Sequence, residues 1–217
     1  MTPLALGSPT RPLRNILCFG AHCDDIEIGC GGTIRRLIEE HADLNFYWVV
    51  FSSNAKRGAE ARSAAERLLN GVSSKTIAIK EFRNGYFPGV WIEIKEYIET
   101  LKKVISPDVI FTHYRSDLHQ DHRVVNELTW NTFRDHLILE YEIPKYDGDL
   151  GAPNFFVPLP TSCWQEKIDA LMTCFGSEHG KQWFTAETFS SLMRLRGIEC
   201  NSSSGYAEAF YCRKACL

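Results

Sequence analysis

Two short segments of this 217-residue chain concentrate side chains able to hold a metal and move a proton, AHCDDIEIGCGGT at 21–33 and HYRSDLHQDH at 113–122. His22, His113, His119 and His122 lie in them, together with Asp24, Asp25, Asp117 and Asp121. A catalytic zinc takes His, Asp, Glu or Cys ligands and keeps one position open to water. His22 and Asp25 can both turn to one ion, and a further nitrogen can come from the second segment, with His119 and His122 as candidates. The neighbouring aspartates can then act as base or hold the ligand rings in orientation. Each segment alone has a plain structural reading. Paired aspartates before a helix cap it and complement its dipole, and glycines permit a tight turn. Two such segments at matching positions of one sheet favour a site.

Matching positions follow from the order of elements. NILCFG (15–20) reads as a buried strand feeding the first segment, and DVIFTH (108–113) as a buried strand feeding the second. Between them, TIRRLIEEH reads as a helix, 45–52 as a strand, 56–69 as a helix, 75–79 as a strand and 92–105 as a helix stopped by Pro107. A helix follows over 121–134. The alternation predicts an α/β fold, a Rossmann-like three-layer sandwich with a mostly parallel central sheet, in which ligands gather at the carboxyl ends of strands. After residue 136 the rhythm weakens. Strands are expected at 137–143 and 154–157, helices near 162–175 and 185–196, and a last strand within 205–215. The expected organisation is one domain over 1–217, with a loose N-terminal arm at 1–14 and a less regular, substrate-reading region at 137–217.

Bulk properties narrow the function classes. A net charge of −3 gives no basic field for a nucleic acid. No apolar run is long enough for a membrane span, and the N-terminus lacks signal-peptide organisation, so the expected location is the cytoplasm. The eight cysteines include no CxxC pair and read as reduced, partly buried small hydrophobes.

The two segments resemble the paired signatures of the LmbE/PIG-L family of N-deacetylases, AHPDD-x-E-x-G-x-GGT and H-x-x-x-D-x-H-x-DH. RGAEARSAAERLLNG (57–71) is more weakly similar to that family's R-x-x-EA-x-x-AA stretch. The likeness covers about the first 130 residues. It implies His22, Asp25 and His122 as zinc ligands and Asp24 as the general base. It further implies that His119 stabilises the oxyanion or protonates the leaving amine, oriented by Asp121. Arg57 and Asp117 are candidate substrate contacts. The implied reaction is hydrolysis of an N-acetyl group on an N-acetylglucosamine-type substrate. Zinc supplies Lewis acidity, and a cationic His119 would face the growing negative charge. Two histidines and a carboxylate can equally hold Fe(II) or another divalent metal. Cys23 departs from the signature, standing where proline would stiffen the loop. It is expected to point away from the metal.

Tyr86, Phe87, Trp91, Tyr114, Trp164 and Trp183 are candidate sugar-stacking aromatics, although core packing is their commoner use. Exposed aromatics would mark either the substrate cleft or the interface of a homo-oligomer. His179 is read as a surface residue. Rival readings are a zinc amidase acting on a larger acyl group or a non-sugar amide, and a non-catalytic Rossmann-like binding protein. A dinucleotide fingerprint fails, because Ile34 stands where it needs glycine and the second strand runs into Ser52, Ser53 and Asn54 rather than an acid.

Overall fold

The alternation of short apolar runs with amphipathic stretches resolves, in a computed structural model describing residues 4–8 and 10–216, into seven strands and six helices. The strands are β1 (Asn15–Gly20), β2 (Asn45–Val50), β3 (Ser74–Ile79), β4 (Val109–His113), β5 (Leu137–Tyr141), β6 (Phe155–Pro158) and β7 (Ala207–Cys212). The helices are α1 (Asp25–Glu40), α2 (Ala55–Leu68), α3 (Trp91–Lys102), α4 (Gln120–Thr132), α5 (Thr161–Cys174) and α6 (Ala186–Glu199). They form one sheet in the order β3-β2-β1-β4-β5-β7-β6. The first five are parallel, and β7 runs antiparallel to both β5 and β6. The region after residue 136 therefore extends the same sheet.

Successive side chains of a strand face opposite ways, and both faces here are apolar. Ile16, Cys18, Phe46, Trp48 and Phe111 pack with α1, α2 and α5, while Leu17, Phe19, Val49 and Ile110 pack with α3 and α4. Chain order runs outward from β1 through β2 to β3, then returns to β4 on β1's other side. The crevice of such a sheet lies at this reversal, and each of the two polar segments leaves one of the strands that flank it.

The first helix differs from expectation. α1 begins at Asp25, so GCGG is wound into the helix with a break at Cys30 (φ −147°, ψ 15°) rather than forming a turn. The glycines allow close approach. A Cβ on Gly29 would overlap the ring of Tyr141, and one on Gly32 would overlap Leu159. At the break, the Glu208 carboxylate accepts from the amides of Gly32 (3.0 Å) and Thr33 (2.6 Å), and Lys167 Nζ donates to the Ile28 carbonyl (2.5 Å). α3 is also shorter than expected, because the chain turns after Lys102. Part of the expected N-terminal arm, residues 1–3 and 9, lies outside the described residues. Leu13 is buried, and the amides of Arg14 and Asn15 donate to Asp108. Among the described residues no helix is long and apolar enough to cross a membrane.

Candidate metal centre and active site

β1 delivers His22, the start of α1 delivers Asp25, and the first turn of α4 delivers His122. His22 Nδ1 lies 3.1 Å from His122 Nε2 and 3.4 Å from Asp25 Oδ2, and His122 Nε2 lies 3.6 Å from Asp25 Oδ1. Metal–ligand bonds of about 2.1 Å in a tetrahedron separate donor atoms by about 3.4 Å. The spacing fits a single ion.

The donor chemistry fits as well. His22 Nε2 is 3.2 Å from Asp121 Oδ2, and His122 Nδ1 is 2.9 Å from Asp117 Oδ2. A carboxylate only accepts, so each ring donates an N–H there and turns its other nitrogen inward. These two inward nitrogens lie 3.1 Å apart, and in the metal-free protein the proton on His22 bridges them, at the position a metal ion would take. Burial disfavours charge on His22, but Asp25, Asp121 and Asp24 outweigh it and hold the pKa at about 10. Burial, and then His113, push His122 down to about 3. Burial alone would raise Asp25, yet His122, His113 and His22 hold it well below the usual carboxylate range. The centre is a candidate metal site, with a carboxylate behind each of the two histidines.

Among the described residues, two overlapping groups bring their ligand atoms within 4.8 Å of one another, His22/His119/His122 and Asp25/His113/His122. The ring of His113 stacks flat on His122 with centroids 3.8 Å apart, and its Nε2 accepts the Ala21 amide at 2.9 Å. His113 supports the loop that carries His22.

His119 caps α4 and accepts the Asp121 amide at its Nδ1 (3.2 Å), which leaves the ring proton on Nε2. Its ring centroid is 4.8 Å from that of His22 and 4.6 Å from that of His122. Two expectations change here. The backbone of Asp121, not its carboxylate, meets His119; the carboxylate instead accepts from His22 and from the amides of Gly85 (2.6 Å) and Phe87 (3.1 Å). Burial, with His22 adding to it, lowers the His119 pKa, so the ring is a neutral N–H donor rather than a cation.

Asp24 is 5% exposed, and its Oδ1 lies 3.3 Å from Arg57 Nη2. Burial raises its pKa to about 6 against the opposing charge of Arg57, which places it near neutrality. Arg57 also meets Glu178 Oε1 at 2.6 Å, and Glu178 is paired with Lys181. The arginine read as a substrate contact is thus held between two carboxylates. Asp117, read the same way, is 2% exposed and sits behind His122 with its oxygens engaged by His122, Lys145 and the His119 amide. The fold holds it in place as a buried support rather than in the cleft. Cys23 points away from the centre and donates to the Ser52 carbonyl at 3.3 Å, its thiol pushed up to about 12 by burial.

Of the aromatics, Phe87 is buried beside His22, Trp164 stacks on Tyr206, and Tyr86 is 53% exposed between the two amides that hold Asp121. His179 stays exposed and meets the Met172 carbonyl. The sequence reading missed Glu27, fully buried with neither carboxylate oxygen hydrogen-bonded, as well as Lys145 and Glu178. Glu27 lies inside the first segment and could have been flagged. Lys145 and Glu178 carry no local signal.

The sequence pattern of the GlcNAc-PI de-N-acetylase (PIG-L) family matches residues 17–133, more than half of the chain. This chain belongs to that family. It is accordingly an N-deacetylase, an amide hydrolase of a metal-dependent kind. The uncharacterized deacetylase YaiS of Escherichia coli (strain K12) is 25% identical over 154 residues, covering 64% of this PIG-L chain and 80% of the relative. N,N'-diacetylchitobiose deacetylase from Pyrococcus horikoshii superposes with a TM-score of 0.66 at 19% identity, covering 92% of this chain and 83% of its own. GalB, the 4-carboxy-2-hydroxymuconate hydratase of Pseudomonas putida KT2440, superposes with a TM-score of 0.68 at 17% identity, covering 94% and 98%. At such identities the structural likenesses establish the PIG-L chain's α/β fold. The hydratase among them shows that the fold does not dictate one chemistry.

Proposed function

We propose that this protein is a zinc-dependent hydrolase that removes the N-acetyl group from an N-acetylglucosamine-type amino sugar or glycoconjugate, releasing acetate and a free amine. The observation that carries the reading is the pair of histidine nitrogens facing each other beside Asp25, each ring backed by its own aspartate. His22, Asp25 and His122 would hold the ion, which when bound supplies Lewis acidity to the attacking water and the amide carbonyl. Asp24, with a pKa of about 6, accepts the proton that the water sheds as its oxygen bonds to the carbonyl carbon. The Nε2–H of His119 donates to the carbonyl oxygen as negative charge builds there. As the C–N bond breaks, the proton on Asp24 passes to the departing nitrogen, which leaves as the amine. The exposed face of Tyr86 offers a sugar a stacking surface at the rim.

The sugar class is supported by the family's GlcNAc-PI description and by the chitobiose deacetylase among the structural neighbours. The test is metal content of the purified protein together with amine release from a panel of N-acetylglucosamine derivatives, for the native chain and Asp24→Ala. Stoichiometric zinc in both, with release reduced at least about 100-fold in the variant, is expected for loss of a general base. Absence of zinc after addition of the ion would overturn the metal centre. Zinc without release from any acetylated sugar would overturn the substrate class.

A further inference from the structure

The loop joining β5 to β6, residues 142–154, contains PKYDGDLGAP and nothing in its sequence marks it as part of a metal site. In the fold it reaches the centre through one buried lysine. The side chain of Lys145 is 8% exposed, and its Nζ lies 3.0 Å from Asp117 Oδ2 and 2.5 Å from Asp149 Oδ2. Asp117 Oδ2 is the same oxygen that accepts His122 Nδ1–H at 2.9 Å. Asp149 Oδ2 in turn accepts the amide of Leu118 at 2.7 Å, one residue along from Asp117. Lys145 thus lies between a carboxylate of its own loop and the carboxylate that orients His122. Asp149 ties the same loop to the backbone of the segment carrying Asp117 and His119.

We infer that Lys145, with Asp149, is a positioning pair for the metal ligand His122, acting through Asp117. A buried lysine is stable only when paired. Here both its partners are nearly buried, so the three groups fix one another's rotamers. Asp117 is held where it takes the Nδ1 proton, and His122 is held in the tautomer and ring orientation that presents Nε2 to the ion. Support of this kind behind a ligand is typically worth about 10–100-fold in metal affinity. The inference rests on the metal centre proposed above and adds to it a residue from the C-terminal part of the chain.

The test measures the zinc dissociation constant by competition with a chromophoric chelator. Lys145→Met/Asp149→Asn removes one positive and one negative charge, so the field at the ion changes little while the tether is lost. Its affinity should fall about 10–100-fold, and the His122 Nδ1–H proton resonance, slow to exchange with water in the native chain, should exchange rapidly. A control pair distant from the centre, Arg67→Gln/Glu166→Gln, removes the α2–α5 ion pair and should leave the affinity unchanged. Lys145→Arg keeps the charge and changes only its reach. It should give a smaller loss of the same sign, and it carries the test if the double variant does not fold. Native affinity and native proton exchange in the Lys145 variants would overturn the inference while leaving the metal centre standing. Failure of the native chain to bind zinc would overturn both.

Discussion

Asp121→Asn separates two accounts of one aspartate. The family signature implies a carboxylate that orients His119, whereas the structure turns that carboxylate to His22 and to the loop before α3. Oδ2 accepts from His22 Nε2 (3.2 Å) and Gly85 N (2.6 Å), and Oδ1 accepts from Phe87 N (3.1 Å). An asparagine offers one oxygen. If that oxygen stays with His22 and Gly85, the amide NH2 meets the buried Phe87 N–H, donor against donor. An unmet buried donor costs about 1–3 kcal/mol. For a chain of this size each kcal/mol shifts the midpoint by about 2–4 °C, so the metal-free variant should melt about 2–12 °C lower. His22 also loses a charged acceptor, and zinc affinity should weaken about 10–100-fold. Calorimetry of the metal-free protein and chelator competition measure the two quantities. A variant with unchanged melting and zinc affinity but reduced turnover would refute this reasoning and restore the His119 role.

Three further outcomes are expected. The pKa of His22 is raised from 6.5 to about 10 in the metal-free protein, so its protonation stabilises that form fully below pH 6.5 and the contribution is lost as pH rises through about 10. The ion must displace that proton, so between about pH 7 and 9 each unit of acidification should weaken apparent zinc affinity about tenfold; a pH-independent affinity would contradict it. Gly29→Ala places a methyl group in the ring of Tyr141, whose hydroxyl donates to the Phe19 carbonyl at 2.5 Å. Urea unfolding should show a loss of about 1–3 kcal/mol, and native stability would mean that α1 is not tightly seated. The Cys23 thiol is buried and raised from 9.0 to about 12, so in the folded protein at pH 8 it should alkylate at least about 1000-fold more slowly than an exposed thiol. Mapping iodoacetamide adducts would check it.

The strand expected at 15–20 has the observed bounds and 108–113 differs by one residue, because these buried parallel strands are apolar almost throughout and end at glycine or polar residues. The strand expected at 75–79 starts one residue earlier, at Ser74, on the exposed edge of the sheet. The helices of the first half were legible from their spacing, except where glycine misled. Gly29, Gly31 and Gly32 look like a turn in isolation, and only Tyr141 packed against Gly29 and Leu159 packed against Gly32 show why the helix needs residues without side chains at those two positions.

The sequence by itself determined the βα alternation, the two polar segments at strand ends, and through their resemblance the set His22, Asp25 and His122. These depend on residue type at short spacing, which a linear chain displays directly. Tertiary structure alone decided which nitrogen of each histidine faces inward, that Asp121 serves His22 and Asp117 serves His122, and that Arg57 lies between Asp24 and Glu178. It alone brought Lys145 onto Asp117 and Glu208 onto the break in α1. Such pairings join positions far apart in the chain, and their partners are set by sheet order and loop path rather than by local spacing.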